Sequence, residues 1–334
     1  MVRSAARPVV VGARHLLDRG AAVPGLARVM RRAAAEIEGA LQREHWRSER
    51  RSDMYGASYY GIGRDPQGDR QGRSGYASYD RITSNAEIAG RLVWRTFGGA
   101  RTALDVGCAT GLVVEVLREL GVDAQGCDVS RFAVGNPSPG AAGHLHVGDL
   151  LDRLPFEDGA FDVVTALETL EHLPPDRVDQ ALAELRRVCR GAVYATIPSF
   201  GPNGGGGPDG HMVGKVRPER LAAYEVLGEG FTGPVPFDDL ARDADGEPVE
   251  GHLTIASFGW WTDRFSAVGL RRRPEVEHRM VADLVPELAA AWNLYVLTVP
   301  EADEAVVVDR APGRSLVELG LRHPLYGDTA VADA

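Results

Sequence analysis

Two short stretches hold residue types whose spacing suits chemistry. In Glu168-Thr169-Leu170-Glu171-His172, two carboxylates and an imidazole recur three and four positions apart. On one helical turn those side chains share a face. Such a trio can hold a divalent cation or work as acid and base. The second stretch is Ala103-Leu104-Asp105-Val106-Gly107-Cys108-Ala109-Thr110-Gly111. An apolar run broken by one acid, followed by glycines spaced G-x-x-x-G, reads as a buried strand turning tightly into a helix. Strand, glycine turn and helix N-terminus form a nucleotide-cofactor cradle at the carboxyl edge of an open α/β sheet. A dinucleotide site wants G-x-G-x-x-G. Here a third glycine is missing, and the Asp105 carboxylate would repel a pyrophosphate. It suits a cofactor with a cationic amino-acid end, which disfavours a nucleotide-binding oxidoreductase.

The run Asp105-Val106-Gly107-Cys108-Ala109-Thr110-Gly111 resembles motif I of the class I S-adenosylmethionine (SAM) dependent methyltransferases. The resemblance extends in register from about Ala103 to Val299. It implies an α/β fold with a Rossmann-like, seven-stranded sheet, and SAM held by Asp105, Gly107, Cys108, Ala109 and Gly111. The next elements agree. Residues 122–127 are expected as a second strand, leading into Asp128-Val129. An acid there is placed to accept hydrogen bonds from both ribose hydroxyls, and by resemblance Asp128 is that acid. A third strand, 144–147, leads to Gly148-Asp149-Leu150. The family has an acid at this place on the adenine amino group, which makes Asp149 the candidate; taken alone it also reads as a turn-forming Asp.

By the same resemblance, E-x-x-E-H after the fourth strand binds a divalent metal in two groups. One is the ubiquinone-pathway O-methyltransferases. The other is the small-RNA 3′-terminal 2′-O-methyltransferases, which add a later histidine. Glu168, Glu171 and His172 are therefore metal candidates, and Glu168 also borders the cofactor. For the later ligand His252 is preferred over His211, because it shortly precedes the Trp260-Trp261 helix as the family layout requires. Mg²⁺ is the expected ion, since carboxylates are hard oxygen donors. Metal-free relatives carry similar runs, in which the Glu and His cap a helix or orient the substrate. In that case His172 is the leading general base, with Glu171 beside it.

The elements that must position these residues alternate as strand and helix. A helix over 84–97, capped by Ser84 or Asn85, leads into the sheet. Residues 112–120 form the helix after the glycine turn, 161–167 a fourth strand, 175–189 its return helix and 192–197 a fifth strand. A long insertion, about 199–256, follows; loops of this length inside a compact domain are usually functional or mobile. At the carboxyl ends of the strands it would cover the substrate. A helix over 258–268 and an antiparallel pair, 270–276 and 294–299, complete the expected sheet. Upstream, 53–82 gathers Tyr55, Tyr59, Tyr60, Tyr76 and Tyr79 among glycines and fits no regular helix or strand. It is either a lid over the cofactor or a loop whose tyrosines pack on the core. Residues 1–52 are rich in Arg and Ala with a helical pattern; a transit peptide is conceivable, and a surface helix or loose extension is preferred. The expected division is 1–98 as helical and lid segment, 99–299 as SAM-binding domain and 300–334 as a tail without a recognised motif.

Composition bounds the reading. With 334 residues and 44% hydrophobic content the chain can bury one sizeable core, and no apolar run reaches bilayer-spanning length. Cys108, Cys127 and Cys189 form no C-x-x-C pair and are expected as buried thiols in a reducing cytoplasm. The net charge of -10 opposes a broad nucleic-acid footprint. Arg31, Arg32, Arg43, Arg47, Arg50 and Arg51 form either a local patch or a solvated helix face. Lys215 is the sole lysine, a hint of GC-rich coding. The expected activity is in-line methyl transfer from SAM to oxygen on a hydroxylated small molecule: a sugar, glycoside or specialised metabolite. RNA 2′-O-methylation ranks second. A non-catalytic SAM-fold scaffold is disfavoured because the cofactor acids and glycines are all present.

Overall fold

The computed structural model describes residues 52–57, 59–60, 79–201, 212–227, 230–243, 246–282, 293–300 and 306–310. The Arg-rich residues 1–51, Tyr76, His211 and residues 311–334 lie outside them. The first strand, β1 (Thr102–Val106), has four successive buried residues. The other strands are β2 (Asp123–Asp128), β3 (Leu145–Val147), β4 (Phe161–Leu167), β5 (Cys189–Thr196), β6 (Arg271–Arg272) and β7 (Leu294–Thr298). They form one seven-stranded sheet in the order β3-β2-β1-β4-β5-β7-β6. β1 to β5 run parallel, and β7 is antiparallel to both of its neighbours. This is the Rossmann-like seven-stranded sheet expected from the sequence. Chain direction across the sheet reverses between β1 and β4, which makes the carboxyl ends of those strands the natural ligand crevice.

Parallel strands covered on both faces read as near-continuous apolar runs, and β4 is buried from Phe161 to Ala166. The cover comes from α1 (Ala86–Thr96), α2 (Leu112–Glu119), α3 (Arg131–Gly135), α4 (Val178–Val188), α6 (Phe258–Ala267) and α7 (Pro274–Ala282), while α5 (Pro218–Leu227) lies in the insertion. On one face Leu92 and Val93 of α1, Val113 and Leu117 of α2 and Met280 of α7 pack against Val163, Tyr194 and Val296. On the other, Leu182 and Leu185 of α4 and Trp261 and Phe265 of α6 meet Leu104, Val164 and Val193. All three cysteines are buried and free.

Several boundaries differ from expectation, each with a local cause. α1 begins at Ala86, not 84. Asn85 takes φ 59 and makes no side-chain cap, while the Ser84 hydroxyl donates to Asp80 O at 2.5 Å. The return helix splits into a 3-10 turn, Pro175–Arg177, and α4. The expected strand 270–276 is shortened: β6 holds two residues, antiparallel to β7 as expected, because Pro274 opens α7. Proline's fixed φ suits a first helical position. Part of the expected tail returns to the core, with Gly98 N–H donating to Val308 O at 2.6 Å and Asp309 3.3 Å from Arg95. The insertion builds its own apolar cluster from Phe200, Met212, Val216, Tyr224, Val235, Leu240 and Ile255. Phe200 bridges Ser257, so the insertion leaves and rejoins the sheet side by side. Among the described residues no helix is long and apolar enough to cross a membrane.

Candidate active site

β1 ends in a turn where Gly107, Ala109 and Gly111 take φ 77, 49 and 82. A Cβ at Gly107 would collide with the Thr169 side chain, and one at Gly111 would come within 2.8 Å of Ala141 and Leu145. These glycines therefore serve positive φ and tight internal packing together. Gly107 N–H and Cys108 N–H donate to Cys127 O, at 2.8 and 3.3 Å, which locks the turn onto β2. Asp128, buried at the end of β2, accepts from Ala109 N–H at 2.8 Å and from Ser130 N–H at 2.7 Å. Each of its oxygens keeps a second lone pair for a diol. Val129 beside it is half-buried. Asp149 after β3 is buried and accepts from Leu151 N–H at 2.9 Å, while Leu150 packs into the core.

Asp105 is also buried and accepts from the Thr165 hydroxyl at 2.6 Å. Burial pushes its pKa up to about 7, with Asp128 adding to the rise and the Thr165 bond opposing it. A cavity of about 260 Å³ opens here, with Asp105, Gly107, Leu167, Glu168 and Thr196 on its sheet side and Tyr79 and Asn85 across from them. Buried acids at Asp128 and Asp105, each with lone pairs to spare, are chemically suited to a diol and to an ammonium, the groups that SAM carries at its two ends. Residues 52–57, 59 and 60 pack beside the same turns. Tyr60, 3% exposed, stacks on Phe132 with ring centroids 6.3 Å apart. The Ser130 hydroxyl donates to Tyr55 O at 2.6 Å, and Arg131 N–H donates to Ser52 Oγ at 3.0 Å.

The other half of the site starts where β4 ends. Glu168 takes φ 48, its N–H donating to Thr196 O at 2.9 Å. A 3-10 turn, Leu170–His172, follows instead of an α-helical one. Glu168 therefore shares no helical face with its neighbours: it lines the cavity, whereas Glu171 is buried with a side chain 1% exposed. His252 arrives from the end of the insertion. Leu253 N–H and Thr254 N–H both donate to Glu171 O, at 2.8 and 2.9 Å, and the Thr254 hydroxyl donates to Leu173 O at 2.6 Å. This join brings Glu171, His172 and His252 together, with one ligand atom from each lying within 4.8 Å of the others. The Nε2 atoms of His172 and His252 are 3.8 and 4.0 Å from Glu171 Oε1. His172 Nδ1 lies 3.2 Å from Gly251 O, which orients the ring.

Neither carboxylate oxygen of Glu171 has a hydrogen-bond partner among the described residues. Burial pushes its carboxyl well above the usual range, and the nearby Glu168 charge adds to that; Glu168 is raised too, by protein crowding around a carboxyl that the cavity still reaches. Burial pushes His172 down to about 4, so its imidazole is neutral at neutral pH and available as ligand or base. Two nearby residues were missed by sequence reasoning. Lys215 Nζ is 3.0 Å from Glu250 Oε2, and that oxygen is 3.6 Å from His252 Nε2. The available signal was that the chain has a single lysine.

Residues 104–195 match the family model described as a methyltransferase domain. A ubiquinone biosynthesis O-methyltransferase of Methylococcus capsulatus is 34% identical over 106 residues, 29% of this chain and 44% of the relative. One from Pectobacterium atrosepticum is 28% identical over 182 residues, 49% of this chain and 69% of the relative. The chain spans about half the length of most of the curated relatives it matches. Among solved structures, a SAM dependent methyltransferase from Archaeoglobus fulgidus is 18% identical, with TM-score 0.37, over 56% of this chain and 69% of that one. The family match runs from β1 to β5, the strands that carry Asp105, Asp128, Asp149 and Glu168 to one edge, and it is this part of the chain that is similar to a methyltransferase domain.

Proposed function

We propose that the protein is an enzyme that transfers the methyl group of SAM to a hydroxyl of a small molecule, assisted by a divalent cation held by Glu171, His172 and His252, with Glu168 at the border between cation and cofactor. One observation carries the cation: a buried carboxylate with both oxygens unpartnered faces two imidazoles at ligand spacing. Buried carboxylates are paired or bound to metals. A cation there would polarise the acceptor hydroxyl and lower its pKa. Two imidazoles widen the expected ion from Mg²⁺ to Mn²⁺ or Zn²⁺. Relatives named for an O-methylation support oxygen as the nucleophile.

The chain's own residues bind and orient. Asp128 takes the ribose, Asp149 the adenine and Asp105 the amino-acid end, and Gly251 O fixes the His172 ring. SAM supplies a reactive methyl sulfonium, so positioning carries most of the work; orientation alone can contribute about 7–11 kcal/mol in favourable cases. Tyr55, Tyr59 and Tyr60 and the described residues of the insertion would exclude water from the reacting atoms. Hydroxylated acceptors such as sugars, glycosides or specialised metabolites fit a chain of net charge -10. The convergence of His252 with Glu171 favours a second acceptor, the 2′-hydroxyl of an RNA end.

The test is calorimetric titration of SAM into protein stripped with EDTA. It is repeated with Mg²⁺ or Mn²⁺ and a panel of hydroxylated glycosides and short RNA duplexes, with methyl transfer followed in parallel. SAM binding without cation, and turnover only with it, is the expected result. Turnover indifferent to EDTA transfers the role to His172 as base. Absence of SAM binding overturns the proposal.

A further inference from the structure

The turn that delivers His252 carries features that the proposed methyl transfer does not use. Glu250 takes φ 56 without being a glycine, a conformation a larger residue keeps only where its surroundings impose it. Gly251 follows at φ 76. The turn aims the Glu250 carboxylate back at the site, 3.6 Å from His252 Nε2. Lys215 meets that carboxylate with Nζ at 3.0 Å. Of 37 Lys and Arg residues Lys215 is the one lysine. Its backbone is anchored on both sides: its N–H donates to Met212 O at 3.1 Å, and its carbonyl accepts from Ala241 N–H at 2.8 Å. An ammonium is a compact point charge, whereas a guanidinium spreads into a bidentate fork. Glu250 sits on the accessible rim with 41% of its side chain exposed, against 19% for Lys215.

A carboxylate so close to an imidazole ligand competes for the cation. Ions such as Mg²⁺ and Mn²⁺ favour six ligands and keep positions for water or substrate when the protein supplies fewer. Resting on the cation-assisted reading above, we propose that Lys215 is a positioning residue: it ties up the Glu250 carboxylate and so keeps a coordination position of the Glu171, His172 and His252 set open to the methyl acceptor.

Mn²⁺ titrated into the full-length protein is the probe. Paramagnetic resonance counts free ion, and water-proton relaxation counts the waters on bound ion. In Lys215→Met the released Glu250 enters the coordination sphere. Mn²⁺ affinity then tightens about tenfold, as added ligand charge does, a bound water is lost, and kcat falls while SAM affinity holds. In Glu250→Gln the hydration of bound Mn²⁺ stays at its wild-type value, and adding Lys215→Met to that variant changes nothing further. A Lys215→Met protein with unchanged hydration overturns the assignment, and so does a double variant that keeps the tightened affinity. Should Lys215→Met fail to fold, Lys215→Gln and Glu250→Gln make the same comparison. A wild-type protein that binds no Mn²⁺ refutes the cation reading itself. Binding that is normal in wild type and indifferent to both residues refutes the role of Lys215 alone.

Discussion

The cofactor edge and the Glu171–His172–His252 cluster meet at the end of β4 and are built on opposite terms. At the cofactor edge the buried acids are satisfied: Asp128 holds two backbone amides and Asp105 a hydroxyl. In the cluster the buried acid is left without hydrogen bonds, and its partners come from the end of a long insertion. The first region is preorganised to receive a ligand on spare lone pairs. The second stays incomplete until a charge arrives. Burial raises the pKa of the acids in both regions, but at the cofactor edge hydrogen bonds offset part of that cost, whereas Glu171 bears it without them.

The largest expected effect tests that contrast directly. Glu171→Leu should lower turnover by about 10²–10⁴-fold, the range for loss of a group acting on the acceptor proton. In chelator it should also raise stability by roughly 1–3 kcal/mol, because an unsatisfied buried acid is removed. A lower melting temperature in EDTA would break the comparison. Next, Asp128→Ala should weaken SAM roughly 100-fold, from two lost hydrogen bonds to a charged group, while Mn²⁺ affinity stays near wild type. Calorimetry showing unchanged SAM affinity would remove Asp128 from the ribose.

A smaller effect is pH-dependent. With Asp105 raised to about 7, the folded chain keeps a proton that the unfolded chain loses near pH 4. Asp105 therefore subtracts stability as pH rises through that window. Binding of a cationic amino-acid end uses the ionised form, so SAM affinity should rise roughly tenfold from pH 6 to pH 8. Thr165→Val should move that rise upward by deleting the bond that favours the carboxylate. A flat profile in both proteins would assign the amino-acid end elsewhere. Smallest of all, Tyr60→Phe keeps the ring stacked on Phe132 and should leave SAM affinity within about twofold. A larger loss would show that the hydroxyl touches the cofactor.

The same contrast governs how far the site could be read from sequence. The motif around Gly107 and Gly111 was legible because strand, turn and helix are local, and strand 161–167 coincides with β4. The E-x-x-E-H run was legible as residue types, but its helical face was not. Glu168 turns into the left-handed region and a 3-10 turn replaces the α-helical one, a choice made by the Thr196 contact across the sheet. Strand 270–276 is cut to two residues because Pro274, whose fixed φ suits a first helical position, opens α7. Glu250 and Lys215 carry no local pattern at all; only the fold of the insertion brings them together.

The two amides that Leu253 and Thr254 lend to the Glu171 carbonyl also order events in time. They join segments far apart in the chain, and closing so long a loop comes late in folding. Contacts such as Ala109 N–H to Asp128 close over a short span. Pulse-labelled amide exchange, comparing Leu253 and Thr254 with Ala109, reads the sequence of protection. Early protection at Ala109 and late protection at the other two means that a newly made chain acquires its grip on the methyl donor first. The machinery that acts on the acceptor is then finished last.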